Sequence, residues 1–275
     1  MASSPVILVF DSGLGGLTVY REIAAARPDA RFVYAADDAA FPYGRFGERE
    51  LSERVMGVMA RLIDRHAPEL IVIACNTAST LVLSDLRRNF QVPFVGTVPA
   101  IKPACAASQT KLVSVLGTEG TVAREYTRAL IRDFGQGCDV TLVGSKSLAV
   151  LAEAHLRGED VDDAAIAREL APCFVETNGA RTDTIALACT HYPLLLDRLR
   201  ALSPWPVNFV DPAPAIARRV IDLVGPPQDR QPSDSALVHF TSDRPLSPAL
   251  AAALAGFGLS QAPVALRFDT PGISP

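Results

Sequence analysis

The chain reads as an α/β protein of two pseudo-symmetric, three-layer α/β domains with mainly parallel sheets and its active site at the domain interface. Three observations predict this. Short β-branched runs alternate with helical patterns throughout, as parallel sheets with right-handed crossovers require. Two such runs end at a cysteine in nearly the same words, Ile71-Val72-Ile73-Ala74-Cys75-Asn76-Thr77 and Ile185-Ala186-Leu187-Ala188-Cys189-Thr190-His191. Two others, ending in Asp11-Ser12-Gly13-Leu14-Gly15-Gly16 and Gly117-Thr118-Glu119-Gly120-Thr121, each run into a glycine-rich, hydroxyl-bearing turn.

In chain order, Val6–Phe10 forms the first strand and Leu17–Ala26 an amphipathic helix. Arg31–Ala36 is a strand, Glu48–His66 a long helix, Leu70–Ala74 a strand, Ser79–Asn89 a helix and Pro93–Gly96 a strand. The pattern restarts with a strand at Lys111–Leu116 and a helix at Ala123–Phe134. Strands near Val140–Val143, Thr184–Ala188 and Val207–Val210 alternate with helices near Ser147–Arg157, Ala164–Asn178 and Pro193–Ala201. The Pro-rich stretch Gly225–Pro232 is expected to be a surface loop.

The 275 residues and 49% hydrophobic content support a sizeable core. A net charge of −4 without a basic cluster argues against a nucleic-acid partner. No apolar run reaches the roughly 20 residues of a membrane span. Val6–Phe10 lacks the charged lead of a secretory signal, so the expected location is the cytoplasm, where five cysteines without C-x-x-C spacing stay thiols.

Each cysteine motif reads as a buried parallel strand that delivers a thiol to its carboxyl end, where open α/β sheets place ligands. One thiol would suggest a nucleophile; two facing thiols suggest a proton removed on one side and returned on the other. The competing reading of a strand-end cysteine, a small core hydrophobe, holds for Cys105, Cys138 and Cys173. Gly13-Leu14-Gly15-Gly16 lacks the spacing of a dinucleotide loop. The glycine turns instead expose backbone N–H groups suited to a carboxylate or phosphate. His66 and His155 read as solvated, His239 as structural, and Asp37-Asp38 as a hydrogen-bonded loop rather than a metal site. Only His191, two residues past a thiol, has an evident chemical use. Lysines occur only at 102, 111 and 146, so a pyridoxal Schiff base has no anchor. A dithiol redox protein and a two-lobed amino-acid-binding module are the rival readings. The first lacks its usual spacing, and the second needs no thiols.

Phe10-Asp11-Ser12-Gly13-Leu14-Gly15-Gly16-Leu17-Thr18-Val19, Pro42-Tyr43-Gly44, Ala74-Cys75-Asn76-Thr77-Ala78-Ser79 and Ala188-Cys189-Thr190-His191-Tyr192-Pro193-Leu194-Leu195 together resemble glutamate racemase. The likeness spans nearly the whole chain, including Gly96-Thr97-Val98-Pro99 and Asp211-Pro212-Ala213, and it implies a first domain of 1–98 plus 211–275, to which the last part of the chain returns, and a second of 99–210. The second cysteine motif separates this branch from aspartate and hydantoin racemases. The resemblance implies cofactor-independent interconversion of L- and D-glutamate, supplying D-glutamate for peptidoglycan, and it allows a homodimer. It implies Cys75 and Cys189 as acid/base thiols, Asp11 and His191 as their proton-handling neighbours, and no metal. Ser12, Tyr43, Gly44, Asn76, Thr77, Thr118, Thr121 and Thr190 are implied, with Asp11 and His191, as the substrate grip. Ala36-Asp37-Asp38-Ala39-Ala40 stands where the family usually has Gly-Asp-Thr-Ala-Arg, and Gly117 where it has Ala. The assisting glutamate of many members has no clear equivalent near Cys138; Glu153 is one candidate for that role, and the sequence does not decide it. Some members carry an N-terminal extension linked to activation by a peptidoglycan precursor. With ten residues before Asp11, activity without that activator is expected.

On physical grounds the α-proton of an amino acid is far less acidic than a thiol, whose free pKa is about 8.5, so the site must stabilise carbanionic charge. Backbone N–H groups after Ser12, Asn76 and Thr190 are the expected holders of the α-carboxylate. A helix N-terminus at each cysteine is expected to ease thiolate formation. Thr118, Thr121 and Thr190 are the candidates for the side-chain carboxylate.

Overall fold

The computed structural model describes residues 4–135, 137–228 and 236–262. Two parallel sheets organise them. The first contains β1 (Val6–Asp11), β2 (Arg31–Ala36), β3 (Leu70–Ile73), β4 (Phe94–Gly96), β11 (Ala236–Phe240) and β12 (Leu259–Gln261), in the order β12-β11-β2-β1-β3-β4. The second contains β5 (Leu112–Thr118), β6 (Asp139–Ser145), β9 (Thr184–Ala188) and β10 (Asn208–Val210), in the order β10-β9-β5-β6. Every strand pair in both sheets is parallel. Between them β7 (Glu176–Thr177) and β8 (Ala180–Arg181) form a small antiparallel hairpin.

The duplication is visible in the strand order. Read from the second strand of each half, β2-β1-β3-β4 and β6-β5-β9-β10 are the same arrangement. In each, the chain steps to one side of the opening strand and then crosses to the other, which creates a switch point at the carboxyl ends of the two central strands. Those are β1 and β3 in the first sheet and β5 and β9 in the second. β11 and β12 extend only the first sheet, beside β2.

Both faces of each sheet are covered, which explains the near-continuous apolar strands. Ile7 and Val9 face α1 (Leu17–Ala26), α10 (Ala213–Val224) and α11 (Pro248–Gly256), while Leu8 and Phe10 face α2 (Glu48–His66) and α3 (Asn76–Asn89). The second sheet packs Leu116, Ile185 and Leu187 against α7 (Leu148–Leu156), α8 (Asp163–Leu170) and α9 (Leu196–Ala201). Its other face, with Val113 and Val115, meets α4 (Ile101–Ala107) and α6 (Glu125–Phe134). The short α5 (Glu119–Val122) opens directly from β5, with Thr118 as its cap: the Thr121 N–H donates to the Thr118 hydroxyl at 3.2 Å. The return of the chain to the first sheet is clamped by Arg27. This fully buried guanidinium holds Asp29 at 2.8 and 2.9 Å and donates to the carbonyls of Val224 and Gly225 at the end of α10.

Four expectations need correction. α3 begins at Asn76, not Ser79, because Asn76 and Thr77 turn their polar side chains inward at the first helical turn. The helix expected over Ala164–Asn178 ends at Leu170; Pro172 tightens the next residues into a 3₁₀ turn, and the β7–β8 hairpin follows. The stretch expected as one helix over Pro193–Ala201 opens instead as a 3₁₀ turn at Tyr192–Leu195. His66 is half-buried, its ring 4.8 Å from that of His239, rather than solvated. The Pro-rich stretch is exposed at Pro226–Gln228, and from residue 229 it lies outside the described residues.

Candidate active site

Cys75 stands two residues beyond β3 as the residue before the first turn of α3, with extended backbone angles of −141° and 116°. Asp11 closes the neighbouring β1, whose Phe10 pairs with Ile73. The Cys75 thiol donates to the Ser12 hydroxyl at 3.6 Å, and that hydroxyl donates to Asp11 Oδ1 at 3.4 Å. The other oxygen of Asp11 accepts the Gly16 N–H at 2.8 Å. Thiol, hydroxyl and carboxyl therefore form one relay built within a single sheet.

Cys189 occupies the matching place after β9. Its sulfur is 3.9 Å from His191 Nδ1, and His191 Nε2 is 3.1 Å from Glu153 Oε1. Glu153 comes from α7 and lies 5% exposed. Its Oε1 accepts the Leu14 N–H at 2.6 Å, and its Oε2 takes the Arg157 guanidinium at 3.1 Å. This is a second relay of thiol, imidazole and carboxylate, completed by a backbone group from the first sheet.

The Gly13–Gly16 turn was expected to present its N–H groups to a substrate carboxylate. In the folded chain Leu14 N–H is spent on Glu153 and Gly16 N–H on Asp11. The carboxylate this turn holds is the protein's own. Glycine is needed here for close approach: a Cβ on Gly13 would lie 2.1 Å from Glu153 Oε1, and one on Gly15 2.3 Å from His191 Nδ1.

Charge separates the two relays. Burial pushes the Cys75 thiol well up, and the adjacent Asp11 charge adds to it, outweighing the Ala78 N–H of the helix end and the Ser12 hydroxyl. The expected helix-terminal depression of this thiol is therefore reversed by dehydration. Cys189 is followed by a 3₁₀ turn rather than an α-helical N-terminus. Burial also raises Asp11, although His191 and the Gly16 and Ser12 N–H groups oppose it. Burial alone would lower His191, but its hydrogen bonds to Cys189 and Glu153 and the charge of Asp11 raise it well above an ordinary imidazole. Glu153 is lowered despite burial, by the same His191 bond and by Leu14 and Arg157. With Nε2 protonated toward Glu153, the Gly15 N–H that lies 3.2 Å from Nε2 is a neighbour rather than a donor.

Both thiols line one cavity between the two sheets, with about 20 Å³ free, roughly the room for one water molecule. Ser12, Tyr43, Gly44, Asn76, Thr77, Thr118, Thr190 and His191 share its wall. Asp11 and Thr121, also expected to touch substrate, stand outside that wall. Asp11 acts through Ser12, and Thr121 backs Thr118 and Thr77. These three threonine hydroxyls form a triangle with edges of 3.1, 3.2 and 2.9 Å across the two sheets. Both amide atoms of Asn76 are buried without a hydrogen-bond partner, a costly state that a polar ligand would relieve. Tyr43 offers the cavity its ring and backbone only, because its hydroxyl donates to Asp37 at 2.6 Å.

Asp37 and Asp38 are hydrogen-bonded as expected. Asp37 also accepts Arg54 and the Thr241 hydroxyl, and Asp38 accepts the N–H groups of Thr241 and Ser242. Sequence reasoning missed Phe41, whose ring lies 5.1 Å from that of His191 and which lines the same cavity. Its neighbour Pro42, just before Tyr43-Gly44, was the available signal.

A family model described as Asp/Glu/Hydantoin racemase matches residues 7–220. The chain belongs to that family. It is accordingly a racemase. The glutamate racemase of Brucella canis is 55% identical over 256 residues, 92% of each chain. Among solved structures, Escherichia coli glutamate racemase in complex with L-glutamate and the activator UDP-MurNAc-ala aligns with a TM-score of 0.85 at 40% identity, covering 94% of this chain and 97% of that one. The Thermus thermophilus glutamate racemase in complex with β-chloro-D-alanine aligns at 0.75 and 27% identity, covering 96% and 98%. No helix among the described residues is long and apolar enough to cross a membrane.

Proposed function

We propose that this racemase interconverts L- and D-glutamate without a cofactor, with Cys75 and Cys189 as the two acid/base groups, and so supplies D-glutamate for peptidoglycan in the cytoplasm. The observation that carries this reading is that two thiols from two sheets line one cavity, each with its own relay to a carboxyl group. Racemisation needs a base on one face of Cα and an acid on the other, and the forward base is the reverse acid. The pair must therefore rest in opposite protonation states. On the Cys75 side, burial and the Asp11 charge favour the thiol. On the Cys189 side, the raised imidazole of His191 faces the sulfur.

Abstraction by the thiolate leaves carbanionic charge that spreads into the α-carboxylate, where the backbone N–H groups after Ser12, Asn76 and Thr190 and the unpaired Asn76 amide can receive it. Lys102, Lys111 and Lys146 are engaged elsewhere, over Phe134, with the Ser108 carbonyl and with Glu119, so no amine stands in the cavity wall. Admitting an amino acid to so small a cavity requires the Thr77–Thr118 and Thr77–Thr121 contacts to part. The chain divides for that motion into 1–98 plus 211–275 and 99–210, with crossovers after β4 and β10. Names of relatives support glutamate as substrate. Incubation with L-glutamate in D₂O is the test: deuterium at Cα with loss of optical rotation is expected, and an inert substrate overturns the reading.

A further inference from the structure

On the glutamate reading the cavity takes two carboxylates and one ammonium, yet among the described residues no arginine or lysine lines its wall. Its imidazole is already matched by Glu153, Arg157 is spent on that same carboxylate, and Arg54 holds Asp37 at 2.7 and 2.6 Å. The hydroxyl of Thr118, backed by that of Thr121, can orient a distal carboxylate, but it brings no net charge to it. A cation is required nearby, or burying that carboxylate is expensive.

Arg124, between α5 and α6, is placed for this. Its Nε donates to the Gly120 carbonyl at 3.0 Å, and its side chain is 12% exposed. Its Nη1 is buried with no hydrogen-bond partner. The carboxylate facing it, Glu48 of α2, lies 3.8 Å away on a side chain 75% exposed, beyond hydrogen-bond reach. Gly120, which Arg124 grips, closes on the first sheet: a Cβ there would lie 3.9 Å from the Gly44 Cα and 4.0 Å from the Thr77 methyl. Arg124 thus grips the residue of α5 that meets the first sheet beside Thr77, two positions from Thr118 and one from Thr121.

We propose that Arg124 is a specificity-determining residue, a cation held one layer behind Thr118 and Thr121 whose field favours substrates with a second, distal carboxylate. This rests on the glutamate reading above. Arg124 touches no reacting atom; it acts through the threonine hydroxyls and through charge. Glu48 is the competing carboxylate, drawn to the same guanidinium from the solvent side.

The test compares Arg124→Met and Arg124→Lys in the full chain on two substrates. Glutamate racemisation reports the distal carboxylate. Elimination of HCl from β-chloroalanine needs the same α-proton removal but involves no such group. Arg124→Met is expected to raise KM for glutamate roughly tenfold with kcat nearly unchanged, and Arg124→Lys to recover most of that rise. β-Chloroalanine kinetics should stay within about twofold of the parent in both. Parallel losses on both substrates, an unchanged glutamate KM in Arg124→Met, or no recovery by Lys would each overturn the proposal. If Arg124→Met does not fold, Glu48→Gln reads the same field from the other side: a lower KM for glutamate supports the proposal, and an unchanged or higher one overturns it. A parent enzyme that eliminates from β-chloroalanine but leaves glutamate inert would instead remove the glutamate reading itself.

Discussion

The surroundings of Cys75 and Cys189 are the two halves of one duplicated design, and they differ in the groups that flank the sulfur. Both thiols stand just past a central strand at a switch point of the same four-strand order. Both lead through one intermediate group to a carboxyl. For Cys75 that group is a hydroxyl and the carboxyl, Asp11, is raised by burial; for Cys189 it is an imidazole and the carboxylate, Glu153, is lowered by its partners. The first relay is complete within one sheet. The second needs Leu14 from the opposite sheet to finish it. Duplication has kept the strand-end position of the sulfur and let the groups that flank it diverge.

The largest expected effect removes the common feature. Cys75→Ser or Cys189→Ser should lower racemisation by on the order of a thousandfold, because a hydroxyl is a far weaker acid/base partner at neutral pH. Each variant should still eliminate HCl from one enantiomer of β-chloroalanine, since elimination uses a single base. Near-native racemisation in both variants would end the two-thiol assignment.

Next come the intermediates and carboxyls that make the halves unlike. Asp11→Asn and His191→Asn should each slow the chemistry by about a hundredfold. Racemisation cannot show which side was hurt, because an equilibrium constant of one forces kcat/KM to fall equally in both directions. One-handed elimination can: Asp11→Asn should impair the enantiomer served by Cys75, and His191→Asn the one served by Cys189. Equal losses on both enantiomers would dissolve the comparison.

The smallest effect is a displacement in pH. Glu153 helps raise the His191 pKa, and the imidazolium needed beside Cys189 is lost as pH rises through that raised value. Glu153→Gln should therefore move the alkaline limb of kcat/KM to lower pH by roughly one unit. The same pair contributes stability only between the lowered carboxylate pKa and the raised imidazole pKa. That contribution fades below the first as Glu153 gains a proton and above the second as His191 loses one. Thermal unfolding of parent and variant should converge at both extremes.

Much of this was legible in the chain itself. β-Branched runs bounded by turns mark buried parallel strands because their side chains must be apolar on both faces, and the repeated strand–cysteine sentence marks where two of them end. Cys75, Cys189 and His191 could be singled out from local wording alone. The start of α3 could not, since Asn76 and Thr77 read as turn formers until a cavity exists for them to face. Glu153 could be named only through the family resemblance, since nothing in its local wording marks it; the packing of α7 against the Gly13–Gly16 turn is what brings it to His191. Arg124 is likewise ordinary in sequence and buried only at the seam. The proton affinities were beyond the sequence altogether, and for Cys75 the local expectation pointed the wrong way. Strand and thiol positions follow from short-range pattern, which the chain carries residue by residue. Protonation follows from which charges are brought together out of water, and that is decided only when the two sheets close on each other.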